Sequence, residues 1–427
     1  MALLGLVTSV SVQAGLSLDE SLARSRALAD GRGLSPVTLD SGADGAATVA
    51  IGGPGNDIPT LLRPMLRGQG GLQLRARTTL LDGAVAARFG AAWWAGDDHP
   101  FSLDGSVVST RFGNGELYAS VERRHWGPGW TSSLILDGGA KPLPAFGWRK
   151  IEPAPFRTPL LSWLGPWNAD MFAGQLSQRN GPRRAHLLGG RFQFMPFDGL
   201  ELAVSRTIQW GGSGRPESLG SLYRAVVGDD NTYVANDPNE PGNQLAGFDA
   251  RYTLRLGADR SLSVYGQAIG EDEAGALPSH YLGSAGADVA FAFRGASLRV
   301  FAEAADTSME GAFGSPRLGA AYRHHIYTDG YSQLGRPLGH PAGGDVRLAS
   351  AGVLVESGNW AATVIAHRGR AYRTAELYAP GARLSGANAE VSWRLDAASR
   401  IGVGLWHWND GEARHTRGQL WWEVGFR

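Results

Sequence analysis

The sequence predicts an all-β protein, a closed antiparallel transmembrane β-barrel of about 18 strands with a short, partly helical N-terminal periplasmic segment. Three observations predict it. Segment after segment alternates apolar and polar residues with a period of two. The polar face of those segments carries full charges. No run reaches the roughly 18 to 20 apolar residues that a spanning helix requires, so a membrane protein written this way has to be a barrel.

The rhythm is clearest where Phe248, Ala250, Tyr252, Leu254 and Leu256 alternate with Asp249, Arg251, Thr253 and Arg255. Leu200, Leu202, Val204, Ile208 and Trp210 alternate likewise with Glu201, Ser205, Thr207 and Gln209, broken only by Arg206. Ala389, Val391, Trp393 and Leu395 oppose Glu390, Ser392, Arg394 and Asp396, and the chain ends with Leu420, Trp422, Val424 and Phe426 opposite Gln419, Glu423 and Arg427. Short turns divide these segments at Asp82-Gly83, Gly113-Asn114-Gly115, Asp198-Gly199, Gly257-Ala258-Asp259 and Gly358-Asn359. A soluble sandwich or propeller alternates too. Charge on the polar face strand after strand, as in a wet lumen, weighs against it. So do the Trp near strand ends (Trp93, Trp94, Trp406, Trp408, Trp421, Trp422), read as girdles at the lipid interface. The penultimate Phe426 is similar to the end signal of an outer-membrane barrel, with Arg427 in place of a final aromatic residue.

Composition bounds the rest. The 427 residues carry 40 Lys plus Arg against 40 Asp plus Glu, so no global field recruits nucleic acid. Cys is absent, which excludes a thiolate metal site, a catalytic thiol and a disulfide framework. The 61 Gly show no Gly-X-Y period and fit many tight strand connections. Residues 1–14 read as a truncated signal peptide, an apolar core ending in Val12-Gln13-Ala14 without a positive n-region; the alternative is a buried N-terminal segment. Residues 15–69 read as a periplasmic segment with short helices at Ser17 to Ala29 and Asp57 to Arg67, and residues 70–427 as the barrel with long surface loops.

One stretch stands out, Arg123 to Pro144, where Trp126 and Trp130 flank Gly127, Pro128 and Gly129 and an apolar run, Leu134 to Leu136, follows. Pro, Gly and aromatic rings concentrated this way make a rigid loop with a stacking surface, or a Trp-rich turn packed against its own fold. Gly113 to Pro144 (GNGELYASVERRHWGPGW, then SLILDGGAKPLP) resembles the capsule assembly proteins of the Wzi family. So do Leu200 to Ser218 (LELAVSRTIQWGGSGRPES), Gln244 to Arg251 with Tyr265 to Pro278 (QLAGFDAR, YGQAIGEDEAGALP) and Phe301 to Asp345 (FAEAADTS, AAYRHHIYTDGYSQLGRPLGH). The chain departs from that pattern at Gly115 and His125, where bulkier aromatic rings are expected. The resemblance implies an outer-membrane lectin barrel of a Gram-negative bacterium that anchors capsular polysaccharide or exopolysaccharide through longer outer loops.

Polysaccharide binding needs flat apolar faces for sugar rings and planar polar groups for hydroxyls or uronates. The candidates are Trp126, Trp130, Trp210, Arg215, Tyr327, Tyr331, Arg336, His340 and Tyr372. Each has a packing alternative, the Trp in a girdle or lumen plug and the Arg on lumen carboxylates. The acidic group Glu271, Asp272 and Glu273 has three readings: structural pairing with lumen Arg, a hard-cation site, or the acid and base of a hydrolase. His324 and His325 read as opposite faces of one strand, unable to chelate a metal together. Asp229, Asp230 and Asn231 lack the spacing of a calcium loop. The expectation is a non-enzymatic, monomeric polysaccharide binder in contact with outer-membrane lipids, with no cofactor or metal and no catalytic residue. The rivals are a porin-like channel, a polysaccharide exporter and an outer-membrane hydrolase.

Overall fold

The computed structural model describes residues 18–29, 45–52, 70–81, 84–227, 242–257, 259–274, 277–312 and 314–426. The signal-peptide reading, the helix expected over 57–67, the turn at Asp82-Gly83, Ala258, Asp229 to Asn231, the side chains of Asp272 and Glu273, and Arg427 lie outside the described residues.

Among the described residues eighteen antiparallel strands close on themselves, and a two-residue piece, Phe101–Ser102, pairs with Ala92 and Trp93. The wall opens with β1 (Gly45–Gly52), β2 (Gly70–Leu80), β3 (Val85–Trp94), β4 (Ser106–Phe112), β5 (Gly115–Val121) and β6 (Ala145–Lys150). It continues through β7 (Trp167–Gln175), β8 (His186–Phe197), β9 (Leu200–Trp210), β10 (Gly242–Arg255), β11 (Arg260–Ala274) and β12 (Leu277–Phe293). It is completed by β13 (Ala296–Asp306), β14 (Val346–Ser357), β15 (Trp360–Ala371), β16 (Arg383–Arg394), β17 (Ser399–Asn409) and β18 (Arg414–Gly425). The seam joins β1 to β18, from Ala46 opposite Gly425 to Gly52 opposite Gln419. Among the described residues every one of these strands is paired on both sides, so none is an edge strand, which a membrane requires of a sheet.

The two ends of the cylinder differ. At one end lie short turns such as 198–199, 294–295 and 358–359, together with the start of β1 and the end of β18. The longer link 151–166, with the one-turn helix α2 (Pro159–Ser162), is also there. At the other end lie the long connections 122–144, 176–185, 307–345 and 372–382 and the described part of another, 211–227. That puts the Trp stretch and Arg215 at the long-connection end.

The alternation sorts as the sequence predicts. Phe248, Tyr252 and Leu254 are exposed on the outside of β10, while Asp249 and Arg251 are buried within. Phe112, Phe197, Phe293, Trp393 and Phe426 are exposed on the outside at the short-turn end, an aromatic girdle of the kind that flanks the apolar band of membrane barrels. The expected Trp girdle needs correcting. Only Trp93 and Trp422 of its six members are exposed; Trp94, Trp406, Trp408 and Trp421 are buried inside. The reason is register: with Ile401, Val403 and Leu405 outside, Trp406 and Trp408 must point inward. Inward glycines make the room, since a Cβ at Gly402 would sit 2.2 Å from the Trp421 ring and one at Gly404 2.1 Å from that of Trp406.

The wall begins earlier in the chain than the sequence predicts. Residues 15–69 are not wholly an appendage, because Gly45–Gly52 is the first wall strand. Its GAATVAIG sequence has no charged residue to mark a polar face, and its inward positions are Ala46, Thr48 and Ala50. The helix expected at Ser17 forms as α1 (Leu18–Ala29), with Asp19 and Glu20 in its first turn. It lies inside the lumen. Leu18, Leu22 and Leu28 pack with Trp130, Phe301, Leu354 and Ile365. Asp19 pairs with Arg400 at 2.7 Å, Glu20 with Arg123 at 3.3 Å, and Arg299 donates to the Ser25 hydroxyl at 2.9 Å.

The interior is therefore not the wet channel its charges imply. The centre of the plug is Trp130. Its indole N–H donates to Asp288 at 3.0 Å, and Asp288 also takes hydrogen bonds from Arg251 and Arg299. The guanidiniums of Arg24, Arg299 and Arg251 lie 5.0, 5.2 and 5.5 Å from the Trp130 ring, within cation–π range. Arg24 donates to the Gly129 and Pro128 carbonyls at 2.9 Å each, so the helix from one end and the loop from the other clasp each other. Glu303 accepts from the Trp130 and Thr131 amides at 2.8 and 2.7 Å and from Tyr265 at 2.9 Å.

Trp130→Ala removes a buried ring worth about 3–5 kcal/mol and leaves Asp288 short of a donor. The wild-type protein is expected to be nearly silent in planar-bilayer recordings, and Trp130→Ala to give conductance steps. Large steady steps from the wild type would show that the plug does not seal.

Candidate functional site

The lid over the lumen is built from residues 122–144 and 307–345. A Cβ at Gly129 would sit 2.4 Å from the Ser132 carbonyl oxygen, so the tight turn after Pro128 needs glycine there. The turn buries Trp126, whose ring meets Phe172 edge-on at 5.6 Å. The run Leu134 to Leu136 is buried beside it. Gln267, from the wall, accepts from the Leu134 amide at 2.8 Å and donates to the Trp126 carbonyl at 2.7 Å. Tyr322 donates to the Leu134 carbonyl at 2.7 Å, and the Asp137 amide to that of Leu338 at the same distance.

Charge laces the lid at its rim. Lys141 and Arg336 meet Asp97 at 2.9 and 3.5 Å, joining three separate connections. Burial works to raise the Asp97 carboxyl, but Lys141, the His99 amide and Arg336 outweigh it and hold it below the usual carboxylate range.

Most of the predicted sugar platform is inside this lid. Trp126, Trp130, Tyr327, Tyr331 and His340 are each no more than 2 % exposed, so none presents an open ring face to a polymer. Tyr327 donates to the Gly211 carbonyl at 3.3 Å and Tyr331 to Thr207 at 2.9 Å. Trp210 is half-buried, with its indole donating to Ser221 of α3 (Leu219–Val227) at 3.2 Å. That helix lies against the outside of β9 and explains the break at Arg206, which donates to the Val226 carbonyl at 2.7 Å. Arg215 is half-buried in the loop before α3. Tyr372 is half-buried and donates to Asp306 at 3.3 Å, beneath the Arg370 guanidinium.

Glu271 is buried and accepts from the Tyr322 amide at 2.7 Å, which favours the structural reading of the acidic group. Among the described residues no cluster of three or more His, Asp or Glu could hold a metal. His324 and His325 are not on a strand; their rings stack in a turn with centroids 4.6 Å apart. The polar, polyaromatic composition of that segment imitated a strand, and the backbone hydrogen bonds of 320–331 close local turns instead.

What remains open at the long-connection end is a cup of about 280 Å³. Tyr322 and Tyr331, stacked at 6.1 Å, contribute to its lining, with Arg179, Asn180, Asp329 and Glu376 around them. Asp329 accepts from the Arg179 and Asn180 amides at 2.5 and 2.8 Å, fixing that loop while its arginine side chain stays outside. Arg183 and Arg184 are exposed on the same connection. Of the predicted residues the cup includes Tyr331. The sequence signal for the rest is Gln178 to Arg184, QRNGPRR, a turn set among three arginines.

Burial pushes His340 down to about 4, with nearby Asp137 working the other way. Its ordinary value is near 6.5, so the unfolded lid binds more protons between those values and the folded lid gains stability as pH rises. The contribution is full above pH 6.5 and lost as pH falls through 4, an effect of up to about 3 kcal/mol. Amide exchange in 307–345 is expected to quicken from pH 7 to 4.5 after correction for intrinsic rates, and less so in His340→Asn; equal protection at both pH values would refute this.

The model of the capsule assembly protein Wzi family matches residues 61–356. The Escherichia coli protein Wzi, an outer-membrane protein involved in group 1 capsule assembly and a carbohydrate-binding β-barrel, superposes with a TM-score of 0.78 and 27% identity. That match covers 98% of this chain and 95% of the other. An uncharacterised 55.8 kDa protein of the Klebsiella pneumoniae cps region is 42% identical over 179 residues, spanning 42% of this chain and 35% of that protein's length. Eighteen closed strands, the lidded lumen and these matches agree: the chain belongs to the capsule assembly protein Wzi family of the Gram-negative outer membrane.

Proposed function

We propose that this barrel binds acidic capsular polysaccharide or exopolysaccharide at its extracellular cup and so holds the polymer on the cell, without cutting it. The observation that carries the reading is the contrast between a lumen occupied by helix and loop and an open cup. The plug around Trp130 occupies the lumen, which counts against a channel, whereas the cup beside Tyr331 opens at the long-connection end and is lined by Arg179, with Arg183 and Arg184 exposed on the same connection. Guanidiniums bind uronate carboxylates bidentately, and neighbouring hydroxyls reach Asn180 and Asp329. The carbohydrate binding of the E. coli relative supports it. Each contact is weak, and the polymer's repeat multiplies it, so that avidity replaces tight single-site affinity.

Deleting the gene is expected to move polysaccharide from the cells to the medium. Complementation with Arg179→Glu plus Arg183→Glu, both exposed and outside the lid, is expected to restore barrel levels but not retention, with binding of purified polymer about tenfold weaker. Retention unchanged by deletion would refute the anchoring role, and shortened polymer after incubation with the purified protein would turn the reading towards a hydrolase.

A further inference from the structure

The outside of the wall between β13 and β17 breaks the rule of the rest of the barrel. Just below the long-connection rim, Asp306, Arg347, Arg370 and Arg383 lie directly opposite one another across four strands, on the outward face. One pair further down, Ala304, Ala349, Arg368 and Ser385 form the next row. Like charges directly opposite on one sheet face repel. Asp306 offsets Arg347, with the Arg347 Nε–H donating to it at 2.7 Å. Arg370 lies 5.1 Å from the Tyr372 ring. Arg368, Arg370 and Arg383 are exposed, and among the described residues no carboxylate pairs with any of them. A bare guanidinium cluster facing a bilayer is costly towards the midplane and tolerable at the headgroup level, and these residues lie in the last two outward rows before the strands end.

Directly beneath the cluster the wall is hollow. Ala302, Ala351, Ala366 and Ala387 make the next outward row, below Ala304 and Ala349. With no side chain beyond Cβ, they leave a groove of about 870 Å³ bordered above by Arg368. Larger apolar residues return lower down, at Val364, Val391 and Leu405, all exposed. A lipid-facing wall normally fills its outer rows with such residues; here a recess in the apolar zone meets a cationic cluster at the interface. Soluble anions would use the charge and leave the recess without purpose. A neutral acyl chain would use the recess and leave the arginines unmatched.

We propose that Arg347, Arg368, Arg370 and Arg383, with the alanine groove beneath them, form a binding site for a phosphorylated glycolipid of the outer leaflet, its phosphates on the guanidiniums and an acyl chain in the groove. The site is on the membrane side of the wall and separate from the cup, so it stands independently of the polysaccharide reading. Its consequence is a barrel held in a fixed depth and orientation by a lipid that neutralises its own rim.

Native mass spectrometry of the full chain in detergent, with added lipid A, tests it. Wild-type protein is expected to retain the lipid, and Arg368→Gln plus Arg383→Gln to weaken retention by at least about tenfold. Ala366→Phe, which fills the groove without touching the charges, is expected to weaken it as well, and provides a second arm should the double variant fold poorly. Dephosphorylated lipid A, the deacylated phosphosaccharide and inorganic phosphate are each expected to fail as competitors. Equal retention by the variants would overturn the proposal, as would a deacylated phosphosaccharide that competes as well as lipid A, which would make this a site for soluble anions.

Discussion

A cylinder of eighteen strands encloses more space than wall side chains alone can fill, and its inner face is charged. The fold therefore depends on how charge is neutralised away from water. Asp288 is the pivot, receiving Trp130, Arg251 and Arg299 at once, while Arg24 reaches across from α1 to the carbonyls of the same loop. Buried ion pairs add little net stability, but removing one partner strands the other, which makes the arrangement specific. Helix, loop and wall meet where these charges face one another. The lid over 307–345 and the cup above it rest on that arrangement.

The sequence carried the wall plainly, because a period of two with charge on one side suits few structures besides a sheet closed around a polar interior. Phe248 to Arg255 and Leu200 to Trp210 turned out to be strands with the expected faces. It carried the wall poorly where both faces are small, as in β1, and where aromatic residues sit on both, as at Trp406 to Trp408. No alternation distinguishes a lipid-facing tryptophan from one filling the lumen. Inward glycines opposite the ring, such as Gly402 for Trp421, are the physical sign, and they matter only once register is known.

The site was less legible for a related reason. Chemistry alone marks Trp126, Trp130 and Tyr327 as a sugar platform, and the same chemistry makes them the best residues for a polar plug, since each ring carries one donor that a buried setting can satisfy. What separates the two uses is which loop folds inward, and that is decided by contacts from distant strands, Gln267 on Trp126 and Thr207 on Tyr331. The cup is formed from three connections whose sequences hold no shared pattern. The two-residue period and the family resemblance agree on the architecture, whereas residue types alone do not tell which rings fold inward.

The position of α1 constrains how the molecule is made. It precedes β1 in the chain, and β1 is hydrogen-bonded to β2 on one side and β18 on the other, so the helix enters before the ring is zipped or has to be threaded past the turns afterwards. The strand that follows the helix is an eight-residue segment whose inward residues are two alanines and a threonine, slender enough to close the seam beside a helix already in the lumen.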